Sequence, residues 1–220
     1  LCVYVRRSVY MDMELFVEML GIDSTSGKEA EFADFLSERL LTSKCRVDKF
    51  EVGDGTKNLL FSWGEPEVVF CTHLDTVPPY FPPHLYNSSA VNMDGDQNAI
   101  SAASWDSDIP VCKITGRGTC DAKGQIFAMW EACKAMEDMG MTDFGLLLLA
   151  GEETGSFGAK AFNSVISTPS SVISSEVEIS PDAWVIVGEP TDNCMATAEK
   201  GTKSYDVTFS GKSCHSGYPE

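Results

Sequence analysis

The sequence predicts an α/β protein built on a mostly parallel sheet with helices on both faces. Short apolar runs alternate along the chain with segments in which apolar residues recur every three or four positions. Runs such as Val68–Cys71 and Leu146–Ala150 are continuously apolar, which is typical of strands buried on both faces of a sheet. The 220 residues are enough for one full hydrophobic core and part of a second unit.

Two helices are predicted near the N-terminus. Asp12 can cap a helix that runs to Leu20 and is stopped by Gly21. Ser26 can cap a second helix. Four apolar residues recur on one face of that helix: Phe32, Phe35, Leu36 and Leu40.

The next part of the chain is predicted to contain strands and then a loop. Three strand-like runs follow one another: Cys45–Glu51, Asn58–Trp63 and Val68–Cys71. From Asn87 to Pro110 the chain is rich in Ser, Asn and Asp and shows no periodicity. We therefore expect a long exposed loop there.

Order returns after Gly116. We expect a helix from about Lys123 to near Gly140, a strand at Leu146–Ala150, a helix at Phe157–Ile166 and a strand at Ala183–Val187.

Three domains or segments are expected. Residues 11–198 form the α/β domain, and residues 1–10, which precede Met11, are an extra or disordered arm. From residue 199 the pattern changes, since polar residues alternate with Tyr205, Val207 and Phe209 as in a half-exposed strand. Residues 199–220 are therefore expected to begin a different domain that continues beyond this sequence.

Charge and composition exclude several partners. The formal net charge of −17 disfavours nucleic acid and anionic membrane surfaces, both of which need a basic surface. No apolar stretch approaches the length of a membrane span. The eight cysteines are scattered and no export signal is visible, so we expect a cytoplasmic protein with reduced thiols.

Polar motifs stand where predicted strands end, which is where ligand sites collect in open α/β sheets. His73 and Asp75 follow one strand, Glu152 and Glu153 a second, and Glu189 a third. Asp121 stands just before a predicted helix. One imidazole and several carboxylates are therefore expected to converge at one edge of the sheet.

Each of these side chains also has an ordinary structural explanation. His73 could be a packed, hydrogen-bonded histidine, and Asp121 could be a helix N-cap. Glu152 with Glu153 could form a solvated turn, and Glu189 could simply precede a proline. Together they favour a cation site, because carboxylates gathered at one edge repel one another.

Histidine nitrogen and carboxylate oxygen are ligands that zinc accepts. Asp75 lies two residues after His73, so on an extended segment both point to the same side and Asp75 could orient the imidazole.

Four motifs follow one another along the chain: HLDTVPP at 73–79, GRGTCDAKG at 116–124, GEETGSFG at 151–158 and GEPTD at 188–192. In this order they resemble the signatures of the M20 metallopeptidase family. That family includes acetylornithine deacetylase, succinyl-diaminopimelate desuccinylase, aminoacylase and glutamate carboxypeptidase. GKSCHSGYP at 211–219 resembles the first part of its α+β lid and dimerisation domain. The resemblance implies a zinc exopeptidase-like catalytic domain over residues 11–198.

The resemblance also implies roles for individual residues. His73, Asp121 and Glu189 would hold one Zn²⁺, and Asp121 would bridge to a second, which Glu153 also binds. Co²⁺ or Mn²⁺ could replace zinc. Asp75 would be the orienting aspartate and Glu152 the general base.

The lid resemblance implies a partner. His215 resembles the lid histidine that reaches into the neighbouring subunit's active site and stabilises an oxyanion, which implies a homodimer. The family's second zinc has a further histidine near the C-terminus of the complete enzyme, and this sequence offers no counterpart. His84 is a poor substitute and is predicted to be a loop residue, so we expect the chain to be part of a longer enzyme.

The leading functional expectation is metal-dependent hydrolysis of an amide bond in an N-acyl amino acid, as in acetylornithine deacetylase. The alternative within the family is a dipeptidase or carboxypeptidase acting on a short peptide. A non-catalytic, ligand-binding member belongs to another class, and the presence of Glu152 and four candidate metal ligands disfavours it. A purely structural domain would leave the gathered carboxylates unexplained.

Overall fold

The fold is described from a computed structural model. It describes residues 12–53, 55–91, 97–101, 111–166 and 182–191, with positions 179, 194–196 and 208. The elements in chain order are α1 (Met13–Gly21), α2 (Glu29–Arg39), β1 (Arg46–Gly53), β2 (Thr56–Trp63), β3 (Val68–His73), β4 (His84–Val91), β5 (Gln97–Ser101), β6 (Val111–Thr115), α3 (Lys123–Asp138), β7 (Phe144–Leu149), α4 (Phe157–Ile166) and β8 (Trp184–Val187).

A five-stranded sheet in the order β1-β2-β7-β3-β8 forms the centre of the fold. Strand β3 pairs in parallel with β7 on one side and with β8 on the other. Strands β1 and β2 are antiparallel, because only a tight turn joins them and a parallel pair needs a long crossover. The predicted α/β class is confirmed, and the three strands that carry the candidate site residues are parallel.

Helices cover both faces of this sheet, as predicted. On one face α1, α2 and α3 pack on the sheet through a large core that includes Phe32, Leu36, Phe61 and Trp130. On the other face α4 contributes Phe162 to a smaller core. Phe61 and its neighbour Leu60 point to opposite cores, because side chains alternate along a strand.

Of the two N-caps predicted near the N-terminus, that of α1 is confirmed and that of α2 is wrong. Asp12 caps α1, and its Oδ1 accepts the backbone N–H of Leu15 at 3.0 Å. The prediction that Ser26 caps the second helix is wrong. The N-cap of α2 is Lys28, which makes no side-chain capping bond, and the Ser26 hydroxyl donates to Asp75 Oδ2 at 2.9 Å instead.

The prediction of a long loop from Asn87 to Pro110 is wrong where the structure describes it. Strands β5, β4 and β6 form a separate three-stranded antiparallel sheet in that order. Backbone hydrogen bonds between neighbouring strands define this sheet, and such pairing does not depend on an apolar sequence. His84 is accordingly the first residue of β4 and not a loop residue. Residues 92–96 and 102–110 lie outside the described ranges.

The chain divides into two compact units, Leu1–Pro190 and Thr191–Glu220. The expected arm at residues 1–10 and, apart from position 208, the expected domain at residues 199–220 fall outside the described residues, so both stay predictions. In the part of the chain that is described, no helix has the length and apolar character needed to cross a bilayer.

Candidate metal centre

His73 is the last residue of β3, and its side chain is only 1% exposed. Its Nδ1 lies 2.9 Å from the backbone oxygen of Asp75 and 3.3 Å from Asp75 Oδ1. A carbonyl oxygen only accepts, so Nδ1 carries the proton of this hydrogen bond. The other ring nitrogen, Nε2, lies 2.9 Å from Asp121 Oδ1 and therefore faces the gathered carboxylates.

Asp121 stands in the loop between β6 and α3 and is not the cap of that helix. The N-cap is Ala122, and no side chain bonds there. Two glycines make this tight loop possible. Gly118 has a φ of +84°, which favours glycine, and a Cβ on Gly124 would overlap the carbonyl oxygen of Thr119. The carboxylate of Asp121 is thereby free to face His73.

Glu152 and Glu153 follow β7, and their backbone is tied to Asp75. Asp75 Oδ1 accepts the N–H of Glu152 at 2.9 Å, and Asp75 Oδ2 accepts the N–H of Glu153 at 3.1 Å. Asp75 therefore links the His73 ring to the carboxylate pair. The Glu152 side chain is exposed and that of Glu153 is partly buried.

Glu189 follows β8 at the same edge of the sheet. Its Oε1 lies 4.0 Å from His73 Nε2. The preceding residue is fixed to β3 by two bonds: the Gly188 N–H donates to the carbonyl of Cys71 at 2.8 Å, and the Thr72 hydroxyl donates to the carbonyl of Gly188 at 2.9 Å. The parallel pairing of β3 and β8 thus brings Glu189 to the imidazole.

A metal fits this arrangement. One ligand atom from each of His73, Asp121 and Glu153 can be chosen so that all lie within 4.8 Å of one another. One nitrogen and carboxylate oxygens are a donor set that Zn²⁺ accepts. Glu189 is not in this group of three, although its Oε1 lies 4.0 Å from His73 Nε2.

The electrostatics of these side chains also favour a bound cation. Burial, together with the charges of Asp121 and Glu152, raises the pKa of Glu153, although His73 opposes the shift. Burial also raises the pKa of Glu189, with further contributions from Asp121, Glu152 and Glu153 that His73 again opposes. Carboxylate charges that lie this close to one another are stabilised when a cation binds between them.

His73 and Asp75 shift each other's pKa. Burial disfavours the charged imidazole, but its bond to Asp75 and the charges of Glu189, Asp75 and Asp121 outweigh burial and raise the pKa of His73 to about 9. Burial acts to raise the pKa of Asp75, but hydrogen bonds from His73, Ser26 and Glu152 lower it overall. In the metal-free chain the imidazole is therefore cationic, and a metal that binds Nε2 replaces its proton.

A cavity of about 310 Å³ lies on another side of the loop that follows β7. Its lining includes Glu29, Gly151, Thr154 and Phe157, and none of the candidate metal ligands. This cavity is therefore separate from the candidate metal centre.

Sequence reasoning missed two residues that hold the site together. Asn58 is fully buried; its Oδ1 accepts the N–H of Ala150 at 3.0 Å and its Nδ2 donates to the carbonyl of Gly158 at 2.9 Å, so it brackets the loop. A polar residue at the start of an apolar run was the available signal. The second missed residue is Ser26, and nothing in the sequence pattern indicated that its partner is Asp75. His215 lies outside the described residues.

Comparison with known proteins identifies the family. Residues 69–219 match the family model described as peptidase family M20/M25/M40, which is more than half of the chain. The chain therefore belongs to the M20/M25/M40 family of peptidases, which are metal-dependent hydrolases.

Curated relatives are similar over nearly the whole chain. A protein of Aspergillus fumigatus named a probable carboxypeptidase is 31% identical over 92% of this chain and 45% of its own length. One of Talaromyces marneffei with the same kind of name is 30% identical over 94% of this chain and 45% of its own length. The chain thus spans less than half the length of these relatives.

Among solved structures, a tripeptidase from Staphylococcus aureus shares the fold. The TM-score is 0.51, with 24% sequence identity over 71% of this chain and 40% of that structure. This similarity supports the α/β architecture described above.

Proposed function

We propose that this chain provides the metal-binding part of a carboxypeptidase that removes the C-terminal amino acid from short peptides. The observation that carries the proposal is the convergence of His73, Asp121 and Glu153 at the end of the parallel strands. The names of the curated relatives favour the peptidase alternative over the expected hydrolysis of N-acyl amino acids.

In this proposal His73, Asp121 and Glu189 hold one metal ion, and Asp121 with Glu153 contributes to a second. Zinc is the first choice, and Co²⁺ or Mn²⁺ would suit the same donors. When bound, the metal polarises the scissile carbonyl and makes water easier to deprotonate.

The residues of the chain supply positioning and proton transfer. Asp75 holds the proton on Nδ1 of His73 and keeps Nε2 directed at Asp121. It also fixes the backbone of Glu152, whose exposed carboxylate can reach a bound substrate. Glu152 takes a proton from the attacking water while the water oxygen bonds to the carbonyl carbon. The C–N bond then breaks, and Glu152 returns the proton to the amine of the departing amino acid.

The remaining sequence expectations complete the proposal. His215 of a partner subunit would stabilise the oxyanion that develops on the carbonyl oxygen, so the working enzyme would be a homodimer. We also propose a cytoplasmic location, in keeping with the scattered cysteines. The expected lid domain from residue 199 onward would supply this contact.

A panel of four substrate types tests the proposal on the full-length gene product. The first is an N-blocked dipeptide with a free C-terminus, and the second is its C-terminal amide. The third is a dipeptide with both termini free, and the fourth is an N-acetyl amino acid. Release of the C-terminal amino acid is measured with and without a chelator.

We expect hydrolysis of the N-blocked peptide, none of its amide, and loss of activity with chelator. Hydrolysis of the N-acetyl amino acid alone would overturn the proposal in favour of a deacylase. Cleavage only of the doubly free dipeptide would instead identify a dipeptidase.

A further inference from the structure

Ser26 stands in a sequence that is typical of a helix start but has a different partner. Residues 26–29 read Ser-Gly-Lys-Glu, the spacing of a capping box in which the serine hydroxyl bonds to the backbone of the helix. In the structure the hydroxyl donates instead to Oδ2 of Asp75, 49 residues along the chain. A local rule that is broken in this way often marks a functional constraint.

The backbone around Ser26 is fixed against the segment that carries Asp75. The Ser26 N–H donates to the carbonyl of Thr76 at 3.0 Å, and the Thr76 N–H donates to the carbonyl of Ser24 at 3.0 Å. Thr25 and Thr76 form a parallel bridge. These contacts hold the backbone of Ser26 beside Asp75, so that its hydroxyl lies within hydrogen-bond distance of the Asp75 carboxylate.

Asp75 connects Ser26 to the backbone of Glu152 and Glu153. Oδ2 of Asp75 accepts both the Ser26 hydroxyl, at 2.9 Å, and the Glu153 N–H, at 3.1 Å. Oδ1 accepts the Glu152 N–H at 2.9 Å. A rotation of this carboxylate would displace both backbone amides, and with them the proposed base and a proposed metal ligand.

Glu29 connects the segment of Ser26 to the loop after β7. It is only 2% exposed and accepts the N–H of Gly27 at 2.8 Å. Burial raises the pKa of Glu29, and hydrogen bonds from the N–H groups of Gly27 and Gly151 oppose that shift. Gly151 begins the loop that carries Glu152 and Glu153, so the segment 24–29 contacts this loop through Glu29 as well as through Asp75.

We infer that Ser26 is a positioning residue for the Glu152–Glu153 pair and acts through the carboxylate of Asp75. It touches neither substrate nor metal. Its hydroxyl limits the rotation of Asp75, which aligns the two backbone amides on one side and the His73 ring on the other. The kinetic part of this inference rests on the proposed hydrolase function, whereas the metal-binding part does not.

The test uses four variants of the full-length gene product. Ser26→Ala removes the hydroxyl, Ser26→Thr keeps it, and Ser26→Cys keeps the volume with a weak donor. Ser37→Ala is the matched control: Ser37 is a buried serine of α2 whose hydroxyl donates to the carbonyl of Asp34 at 2.7 Å, in the helix and away from the cluster. Zn²⁺ affinity is measured by competition with a chelating dye, and kcat and KM on the best substrate of the panel.

We expect Ser26→Ala to lower Zn²⁺ affinity roughly tenfold, the lower end of the range for partners of metal ligands. We expect a loss of about the same size in kcat, with KM changed less than about twofold, because the substrate contacts are intact. Ser26→Thr should restore both, Ser26→Cys should resemble Ser26→Ala, and Ser37→Ala should match the wild type. If Ser26→Ala does not fold, Ser26→Cys against Ser26→Thr makes the same comparison.

Two outcomes would overturn the inference. One is Zn²⁺ affinity in Ser26→Ala that equals that of Ser37→Ala. The other is an equal loss in Ser26→Ala and Ser26→Thr, since the hydroxyl would then not be the cause. If the wild type hydrolyses nothing in the panel, the proposed function fails, and the Zn²⁺ measurement still tests Ser26.

Discussion

Glu152 and Glu153 are neighbours in sequence and differ in environment. Glu152 is exposed, whereas Glu153 is partly buried in reach of His73 and Asp121. We expect Glu152→Gln to lower kcat by at least about 100-fold, because an amide cannot accept the proton, while the metal content stays unchanged. Glu153→Gln should lower the metal content instead. Metal analysis and kinetics of both variants check this, and full activity in Glu152→Gln would refute the assignment.

Asp23 gives a prediction about acid stability. Burial acts to raise its pKa, but hydrogen bonds from Lys28 and Thr25 and the charge of Lys28 lower it to about 2, from 3.8. Because the folded pKa is depressed, the unfolded state takes up the proton first as the pH falls. The contribution of Asp23 is complete above about pH 4 and is lost as the pH falls towards 2.

Urea unfolding of Asp23→Asn and the wild type at several pH values measures this contribution. At neutral pH we expect the variant to be less stable by at most about 1 kcal/mol, since the Lys28 side chain is 65% exposed and that of Asp23 is 29% exposed, so solvent screens the pair. The difference should shrink below about pH 4. A difference that is constant from pH 6 to pH 3 would contradict the account.

Single residues show what a sequence can and cannot reveal about a site. His73, Asp121 and Glu153 could be named because strand ends in an α/β sheet converge, which the order of motifs encodes. The partner of Ser26 could not be named, because Ser26 and Asp75 meet only through the tertiary fold. The Ser26 hydroxyl could bond either to the start of the helix or to the Asp75 carboxylate. The pattern of residues 26–29 indicates only the bond to the helix.

At the scale of elements, Lys123 joins α3 to α1. Its Nζ is buried and donates to the carbonyls of Met19, at 2.9 Å, and Ile22, at the C-terminal end of α1. It also lies 4.2 Å from the centre of the Phe32 ring. Burial lowers the pKa of Lys123 to about 7, and both protonation states can donate to these carbonyls.

We expect Lys123→Met to lower the free energy of unfolding by about 2 kcal/mol, because the Ile22 carbonyl loses the Lys123 donor and the Met19 carbonyl keeps only the long bond from the Ile22 N–H, at 3.4 Å. Thermal unfolding should show a decrease of roughly 4–8 °C in Tm. Lys44→Met is the matched control, since Lys44 also donates to a carbonyl in the last turn of a helix, that of Glu137 at 3.4 Å, but is exposed. Its effect should stay within about 0.5 kcal/mol. Equal losses in both variants would contradict this role of Lys123.

Elements with a clear apolar period could be predicted, and polar ones could not. The helix Phe157–Ile166 has the bounds that its pattern indicated, and β3 and β7 differ from prediction only at their ends. Strands β4 and β5 were missed because the segment from Asn87 to Pro110 is rich in polar residues, and the backbone pairing that defines the strands is not visible in the sequence. The direction of β1 and β2 depends on the tight turn after Gly53, which the strand pattern itself does not encode.

At the scale of the whole molecule, metal binding should be coupled to folding. The gathered carboxylates repel one another in the metal-free chain, and the unfolded chain has no preformed site. With free Zn²⁺ at about 100 times Kd, we expect about 2.7 kcal/mol of added stability. That corresponds to a rise of roughly 5–10 °C in Tm. A chelator should reverse the shift, and a His73→Ala variant that shifts equally would contradict the site.

The family and the architecture could be predicted from the sequence because four motifs fall in order within the 120 residues from 73 to 192, along an α/β pattern. The substrate could not be predicted in the same way. The relatives are more than twice as long as this chain, and their names give a peptidase activity for the whole protein. The acetylornithine-like expectation relied on motifs that contain the candidate metal ligands, and such ligands do not distinguish one amide substrate from another.

The most direct test of the metal centre is the metal content of the full-length gene product after dialysis, measured beside the 220-residue chain. We expect two zinc ions per full-length chain, fewer in the 220-residue chain, and a loss in the full-length His73→Ala variant. No bound metal in either form, after reconstitution with Zn²⁺, Co²⁺ or Mn²⁺, would contradict the account and leave only the fold.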